Sequence, residues 1–256
     1  MTMAATPPAG GVLQGVSLSR AYAGVQALSD VTIDIPTGRV TGLIGANGAG
    51  KSTLVNILTG YDLPDSGSVI ADGSDITRVR PERRARFGVA RTFQHGHLFQ
   101  RSTVLENVEV PALACGAGRR AARALARELL EELNLTDWIS HDADRLPHGV
   151  ERRLGVARAL ALRPRYVLLD EPAAGLNDGE AEHLRDTMRA VAARGVGVLL
   201  IDHNMPLIFA SCDHIFVLGA GKNVMDGAPD AVRTDERLAS SYLGSAAKQL
   251  AEGTAA

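Results

Sequence analysis

Lysine is scarce in this chain, three residues against twenty-four arginines in 256, so a lysine in a chemically sensitive position is not what its composition would supply by chance. Cysteine is scarcer still. Cys115 and Cys212 lie far apart and match no metal-ligand spacing, which excludes a disulfide framework and reads as ordinary thiols in a reducing compartment. Aromatics make up 4% of the chain, and its arginine-rich run at 78–91 holds a single one, Phe87, not an interleaved series. Together with a net charge of −2 and a pI near 6.4, that excludes a global basic field recruiting nucleic acid or anionic lipid. Nowhere do eighteen apolar residues run together, and residues 1–11 have neither a basic start nor a long apolar stretch. The expectation is a cytoplasmic protein that meets a membrane only peripherally, through a partner, and has no nucleic-acid partner.

What the chain does contain is organised around Gly45-Ala46-Asn47-Gly48-Ala49-Gly50-Lys51-Ser52-Thr53, a match to G-x-x-x-x-G-K-[ST]. An apolar, β-prone run at 40–44 precedes it, and residues 52–59 read as a helix stopped by Gly60. Strand, loop, helix is the order a phosphate cradle needs. Glycines turn successive backbone N–H groups toward one anion, and the helix adds the positive end of its dipole. Lys51 is placed to reach β and γ phosphates, and Ser52 to hold Mg²⁺.

Residues 1–11 read as a disordered lead-in. Alternating runs at 12–19 and 31–35 read as an antiparallel start. Between them Tyr22, on a polar connection, either stacks on a nucleotide base or covers a strand end. Residues 68–71 with the Asp72-Gly73 turn suggest a hairpin. Arg78, Arg80, Arg83, Arg84, Arg86 and Arg91 form a cluster that reads as a solvated helix face rather than a phosphate site. A short strand at 89–94 ends in the neutral amide of Gln94. His95 and His97 invite a metal reading, but no further ligands follow at useful spacing. Residues 104–135 are strongly helical, Trp138 packs against that block, and another helix spans 151–162 with Glu151 in its first turn.

Residues 166–170 are an unbroken apolar run ending in Asp170, the form of a parallel strand covered on both faces. Asp170 and Glu171 emerge at its C-terminal end, where open α/β sheets place ligands. There Asp170 suits Mg²⁺ and Glu171 suits a general base. A helix at 179–193 and a strand at 195–201 then deliver Asp202 and His203 to the same edge, His203 being either a phosphate contact or structural. A final strand is expected at 215–218.

In this order these positions resemble the ATP-binding cassette ATPases from about residue 12 to 244. The resemblance implies an α/β, P-loop NTPase mixed sheet with an N-terminal antiparallel β subdomain and a helical subdomain inserted at about 98–158, the whole forming one domain, 12–244, with a flexible tail at 245–256. It implies ATP and Mg²⁺ as cofactors. Tyr22 stands as the adenine-stacking aromatic; Gly45, Asn47, Gly48, Gly50, Lys51, Ser52 and Thr53 form the Walker A loop; Gln94 is the Q-loop glutamine, a metal and γ-phosphate contact; Leu146 to Glu151 form the signature loop; Asp170 and Glu171 are the Walker B acids; Ala174 to Asn177 form the D-loop; and His203 is the switch histidine. Lys51, Gln94, Glu171 and His203 are thereby the catalytic set, with Ser52, Gln94 and Asp170 holding the metal. Pro147, His148 and Gly149 would meet the ATP of a second cassette. Arg91-Thr92-Phe93-Gln94-His95 with Leu98-Phe99, Glu171 to Asn177, and Tyr242-Leu243-Gly244 look like the ATPase subunits of branched-chain amino-acid importers, a group with relatives importing urea, short amides and aromatic acids. Transmembrane permeases, a second ATPase subunit and, indirectly, a solute-binding protein are the implied partners. Exporter or lipid-extraction cassettes look much alike and remain the alternative, with a soluble cassette that works without permeases behind them.

One departure stands out. The family signature is L-S-G-G-Q, and this chain has Leu146-Pro147-His148-Gly149-Val150. Pro147 supplies neither a hydroxyl nor a backbone N–H, so two donors toward a partner's γ phosphate are missing. Asn177 also stands where many cassettes have aspartate. The residues serving the chain's own ATP are all present, which suggests a heterodimer in which this subunit's site, completed by the partner's signature, is the stronger one.

Overall fold

The computed structural model describes residues 10–92 and 98–238. In chain order β1 (Val12–Tyr22) and β2 (Val25–Pro36) form a hairpin, followed by β3 (Val40–Gly45), α1 (Lys51–Thr59), β4 (Ser66–Ala71), β5 (Ser74–Asp75), α2 (Pro81–Arg84) and β6 (Val89–Arg91). Three helices come next: α3 (Val104–Ala114), α4 (Arg119–Glu132) and α5 (His148–Ala161). Then follow β7 (Tyr166–Asp170), α6 (Asp178–Ala193), β8 (Gly197–Ile201), α7 (Met205–Ser211), β9 (His214–Gly219), β10 (Lys222–Gly227) and α8 (Pro229–Thr234).

The strands make two sheets. One is antiparallel, in the order β2-β1-β4-β5. The other runs β10-β9-β3-β8-β7-β6, parallel throughout except for the β9–β10 hairpin at its edge. Because strand side chains alternate faces, each central strand feeds two cores. Val167, Leu169, Val198, Leu200, Ile215 and Val217 face the core shared with α3 to α7. Tyr166, Leu168, Leu199, Ile201, Phe216 and Leu218 face the core shared with α1 and the antiparallel sheet. α1 lies in that second layer with Leu54, Val55, Ile57 and Leu58 fully buried, each contributing about 2 kcal/mol by removal from water. The helix opening at the phosphate loop is thereby fixed between two sheets.

The helical stretch expected over 104–135 is two helices. Thr103 and Glu106 form a capping box at the start of α3, and Gly116, at φ +86°, turns the chain toward α4. α5 begins at His148, earlier than the periodicity suggested, because Pro147 is fixed at a φ that suits an N-cap. The small strand β10 and the short helices α7 and α8 carry too little periodicity to stand out in the sequence.

The arginine cluster is not one solvated face. Arg78, Arg80, Arg83 and Arg86 are exposed, but Arg84 is 1% exposed. Its guanidinium donates to the carbonyls of Ile57 and Leu58 (2.6 Å each), Val79 and Thr77 (2.9 Å each). Burial pulls its pKa down to about 10, still far above neutrality. α1 has no basic residue of its own in its last turn, so Arg84 supplies the positive charge that its C-terminal carbonyls favour. Arg84→Met removes this donor from four carbonyls, of which Ile57 keeps the Gly60 N–H, and is expected to lower the unfolding free energy by about 3 kcal/mol in a denaturant titration. A loss under about 0.5 kcal/mol would show that the bonds are incidental.

Candidate active site

β3 delivers the chain to a loop that must pass between its sheet neighbour and the antiparallel sheet. A Cβ on Gly45 would fall 2.4 Å from the Leu218 carbonyl oxygen of β9. Gly50, at φ +102°, caps α1 where a Cβ would lie 2.6 Å from the Ala27 carbonyl oxygen of β2. Both positions require glycine for close approach, and Gly50 also for its left-handed backbone. The Gly221 N–H, in the β9–β10 turn, donates to the Ala49 carbonyl at 3.1 Å and holds the loop from the far side. Lys51 Nζ donates to the carbonyls of Gly45 (2.6 Å) and Ala46 (3.0 Å). Burial lowers its pKa, and the charges of Glu171 and Asp170 oppose that shift.

Those acids come from the adjacent strands. β7 and β8 are parallel with Asp170 opposite Ile201, so Asp170, Glu171, Asp202 and His203 all leave the sheet at one edge. Glu171 has a left-handed backbone, φ +49°, which is uncommon without glycine, and its N–H donates to the Ile201 carbonyl at 2.8 Å. Its Oε1 lies 3.0 Å from His203 Nε2. An ionised carboxylate only accepts, so in this contact Nε2 carries the proton. Asp202, 5% exposed, accepts from the Ala173 N–H (3.1 Å) and the Asn204 N–H (2.9 Å), tying the chain after Glu171 to the chain after His203. Burial raises the pKa of Asp170, and Arg91, 3.7 Å away, works against that shift. The Asp170 N–H donates to Thr92 Oγ1 at 3.0 Å.

Asn47, Gly48, Gly50, Lys51, Ser52, Thr53, Asp170, Glu171 and His203 line one pocket of about 280 Å³, with Ala27, Ala49 and Ile201 as its apolar wall. Its loop and helix N-terminus suit an anion. Ser52 and Asp170 offer oxygen donors for a cation. Among the described residues no group of three or more His, Cys, Asp or Glu side chains could hold a metal ion. A cation here would take most of its ligands from water and the anion, as Mg²⁺ does with phosphates.

Not every expected residue joins this pocket. Tyr22 sits on a strand end rather than a polar connection, 42% exposed, outside the pocket lining, with its hydroxyl donating to Asp62 and the Arg20 guanidinium 4.8 Å from its ring centre. Pro147, His148 and Gly149 open α5 outside the pocket, with His148 Nδ1 3.1 Å from Glu151 Oε2. Gln94, His95, His97 and Tyr242 to Gly244 lie outside the described residues.

Three contributions carry no role in the sequence pattern, although that pattern does bring Asp202 to this edge. Thr92 and Asp202 act through backbone N–H groups, for which sequence carries no direct signal. The third is a link between the start of α5 and the start of α6. Arg153, on α5, donates to Glu180 (3.0 Å) and to the Gly149 carbonyl (3.3 Å), while Glu180 and Asn177 form a capping box on α6. The N-x-x-E spacing of Asn177 and Glu180 was the available signal.

Asp202 gives a direct check on this geometry. Asp202→Ala frees the Ala173 and Asn204 N–H groups, and is expected to cut turnover of the ATP that the sequence resemblance implies roughly 100-fold while nucleotide affinity stays within about threefold. Unchanged turnover in a steady-state phosphate-release assay would show that Asp202 does not position this edge.

Residues 28–174 match the ABC transporter family. The chain is 36% identical to the high-affinity branched-chain amino acid transport ATP-binding protein BraF of Pseudomonas aeruginosa, over 92% of this chain and 98% of that protein. It is 34% identical to the corresponding LivG of Escherichia coli K12, over 88% and 94%. It is also 33% identical to the lipopolysaccharide export system ATP-binding protein LptB of Haemophilus influenzae, over 91% and 97%. Among solved structures, the ADP conformation of the cassette MJ1267 superposes with a TM-score of 0.80 at 28% identity, covering 91% of this chain and 99% of that one. The ADP- and phosphate-bound dimer of MJ0796 superposes with 0.77 at 26%, covering 85% and 98%. The similarity runs along nearly the whole of a chain that holds a glycine loop at the head of a helix buried between two sheets, with an acid pair and a histidine on the same edge: the chain belongs to the ABC transporter family, as an ATP-hydrolysing cassette.

Proposed function

We propose that this cassette powers uptake of branched-chain amino acids, or of related small polar solutes such as urea, short amides and aromatic acids, through permease subunits on the inner face of the cell membrane. The observation that supports it most is the near full-length similarity to BraF, 36% over 92% of the chain. No described helix is long and apolar enough to cross a membrane, so in this reading the permeases provide the pathway.

The roles follow from the pocket. Backbone N–H groups of residues 47–53 and the start of α1 hold the phosphates, and Lys51 exchanges its two carbonyl partners for β- and γ-phosphate oxygens. Ser52, Asp170 and Gln94 hold Mg²⁺, which when bound neutralises phosphate charge. Glu171 accepts the proton of the attacking water. His203, hydrogen-bonded to Glu171, orients that carboxylate and faces the terminal phosphate. Gln94 senses the γ phosphate and contacts the permease. Tyr22 is the base-stacking surface, and this requires its ring to reach the pocket from the strand end it occupies.

Pro147, His148 and Gly149 face a second cassette's ATP across a head-to-tail dimer. With Pro147 lacking both donors, the dimer is a heterodimer whose stronger site is the one built on this chain. ATP drives closure only through its preference for the closed dimer over the open one.

The similarity to LptB favours a second reading, a lipid-export assembly. Capture of the tagged chain from detergent-solubilised membranes of its own host separates the two. The expected co-purifying proteins are two multi-helix permeases and a different cassette, with ATP turnover stimulated by a solute-binding protein carrying a branched-chain amino acid. Recovery of lipopolysaccharide-export components instead would contradict the importer reading, and recovery of this chain as the sole cassette would contradict the heterodimer.

A further inference from the structure

Arg91 closes β6 beside the site, and none of the roles above uses it. Its side chain is 11% exposed. Nη1 donates to Asn56 Oδ1 (2.8 Å) and Thr59 Oγ1 (3.3 Å) on α1, and Nε donates to the Thr92 carbonyl (3.2 Å). The ring of Tyr61 covers it at 5.4 Å. Nη2 stands 3.7 Å from Asp170 Oδ2, too far for a hydrogen bond but close enough for strong charge attraction. The guanidinium is held by α1 and by the Thr92 carbonyl just past β6, and it faces the carboxylate.

That arrangement bears on Ser52. Ser52, Asn56 and Thr59 are spaced i, i+4, i+7, so they form one stripe along α1. Arg91 grips two members of the stripe whose first member is the hydroxyl at the cation position, and it faces the carboxylate that completes that position from β7. We propose that Arg91 is a positioning residue for the cation site, setting the separation between the Ser52 stripe of α1 and Asp170. The inference rests on the assignment of Ser52 and Asp170 as cation ligands. Standing off at 3.7 Å, Arg91 holds Asp170 electrostatically without taking one of its oxygens into a short bidentate pair. Arginine suits this better than lysine because its planar fork addresses α1 and the acid with different nitrogens at once.

The test measures affinity of the full-length chain for a fluorescent ATP analogue by anisotropy, first in EDTA and then across a Mg²⁺ series. Arg91→Met is expected to bind in EDTA within about twofold of wild type, but to need about tenfold more Mg²⁺ to reach half of the Mg²⁺-dependent gain. Arg91→Lys, which keeps the charge, should fall between the two. Asp170→Asn should lose most of the gain, and adding Arg91→Met to it should shift nothing further. A Mg²⁺ midpoint unchanged in Arg91→Met, with Asp170→Asn still deficient, overturns the inference and leaves the ligand assignment intact. A full Mg²⁺ response in Asp170→Asn removes the ligand assignment itself. Should Arg91→Met lose binding in EDTA through misfolding, the midpoint of Arg91→Lys decides: a shift toward higher Mg²⁺ supports the inference, and none overturns it.

Discussion

Lys51 sits where burial disfavours its charge and two neighbouring carboxylates partly oppose that. The charge arrangement of the pocket turns on that balance. An ammonium held by two loop carbonyls at the head of a buried helix has given up water for partners that a phosphate can replace. The acids that sustain its charge belong to the same edge and carry the cation and base chemistry proposed for it. One positive group and two negative ones thus stabilise each other in a pocket whose ligand carries both signs.

The sheet explains why these groups meet. In a parallel sheet all C-terminal strand ends point the same way, so β3, β7 and β8 deliver the loop, the acid pair and the histidine to one edge without long connections. α1 is pinned between two sheets by four fully buried apolar side chains, and Arg84 satisfies its far end. Arg153 and the Asn177–Glu180 box tie α4, α5 and the start of α6 together. A displacement of α5 would therefore carry the segment beyond the acids with it.

Much of this was legible in the sequence because it rests on local rules. The phosphate loop needs its glycines and lysine in a fixed order, and a doubly covered strand must read as an apolar run, as Tyr166 to Leu169 does. What was not legible rests on contacts between distant segments. Arg84 and Arg91 look like their four exposed neighbours, and only the packing of α1 decides which guanidinium goes inside. The polar residues around Tyr22 predict a connection, whereas antiparallel pairing with Val25 extends the strand through it. Asp202 and Thr92 work through backbone N–H groups supplied from elsewhere in the fold, a role that leaves no trace in residue spacing.

The central claim is that the backbone of residues 47–53 cradles a triphosphate against Lys51 at this edge. Amide hydrogen exchange of the full chain, read by mass spectrometry with and without saturating MgATP, addresses it most directly. The account predicts strong slowing of exchange in the peptide spanning the loop and the first turn of α1, with α4 unchanged. Equal exchange of that peptide in both conditions, in a sample that binds MgATP, would place the nucleotide elsewhere and contradict it.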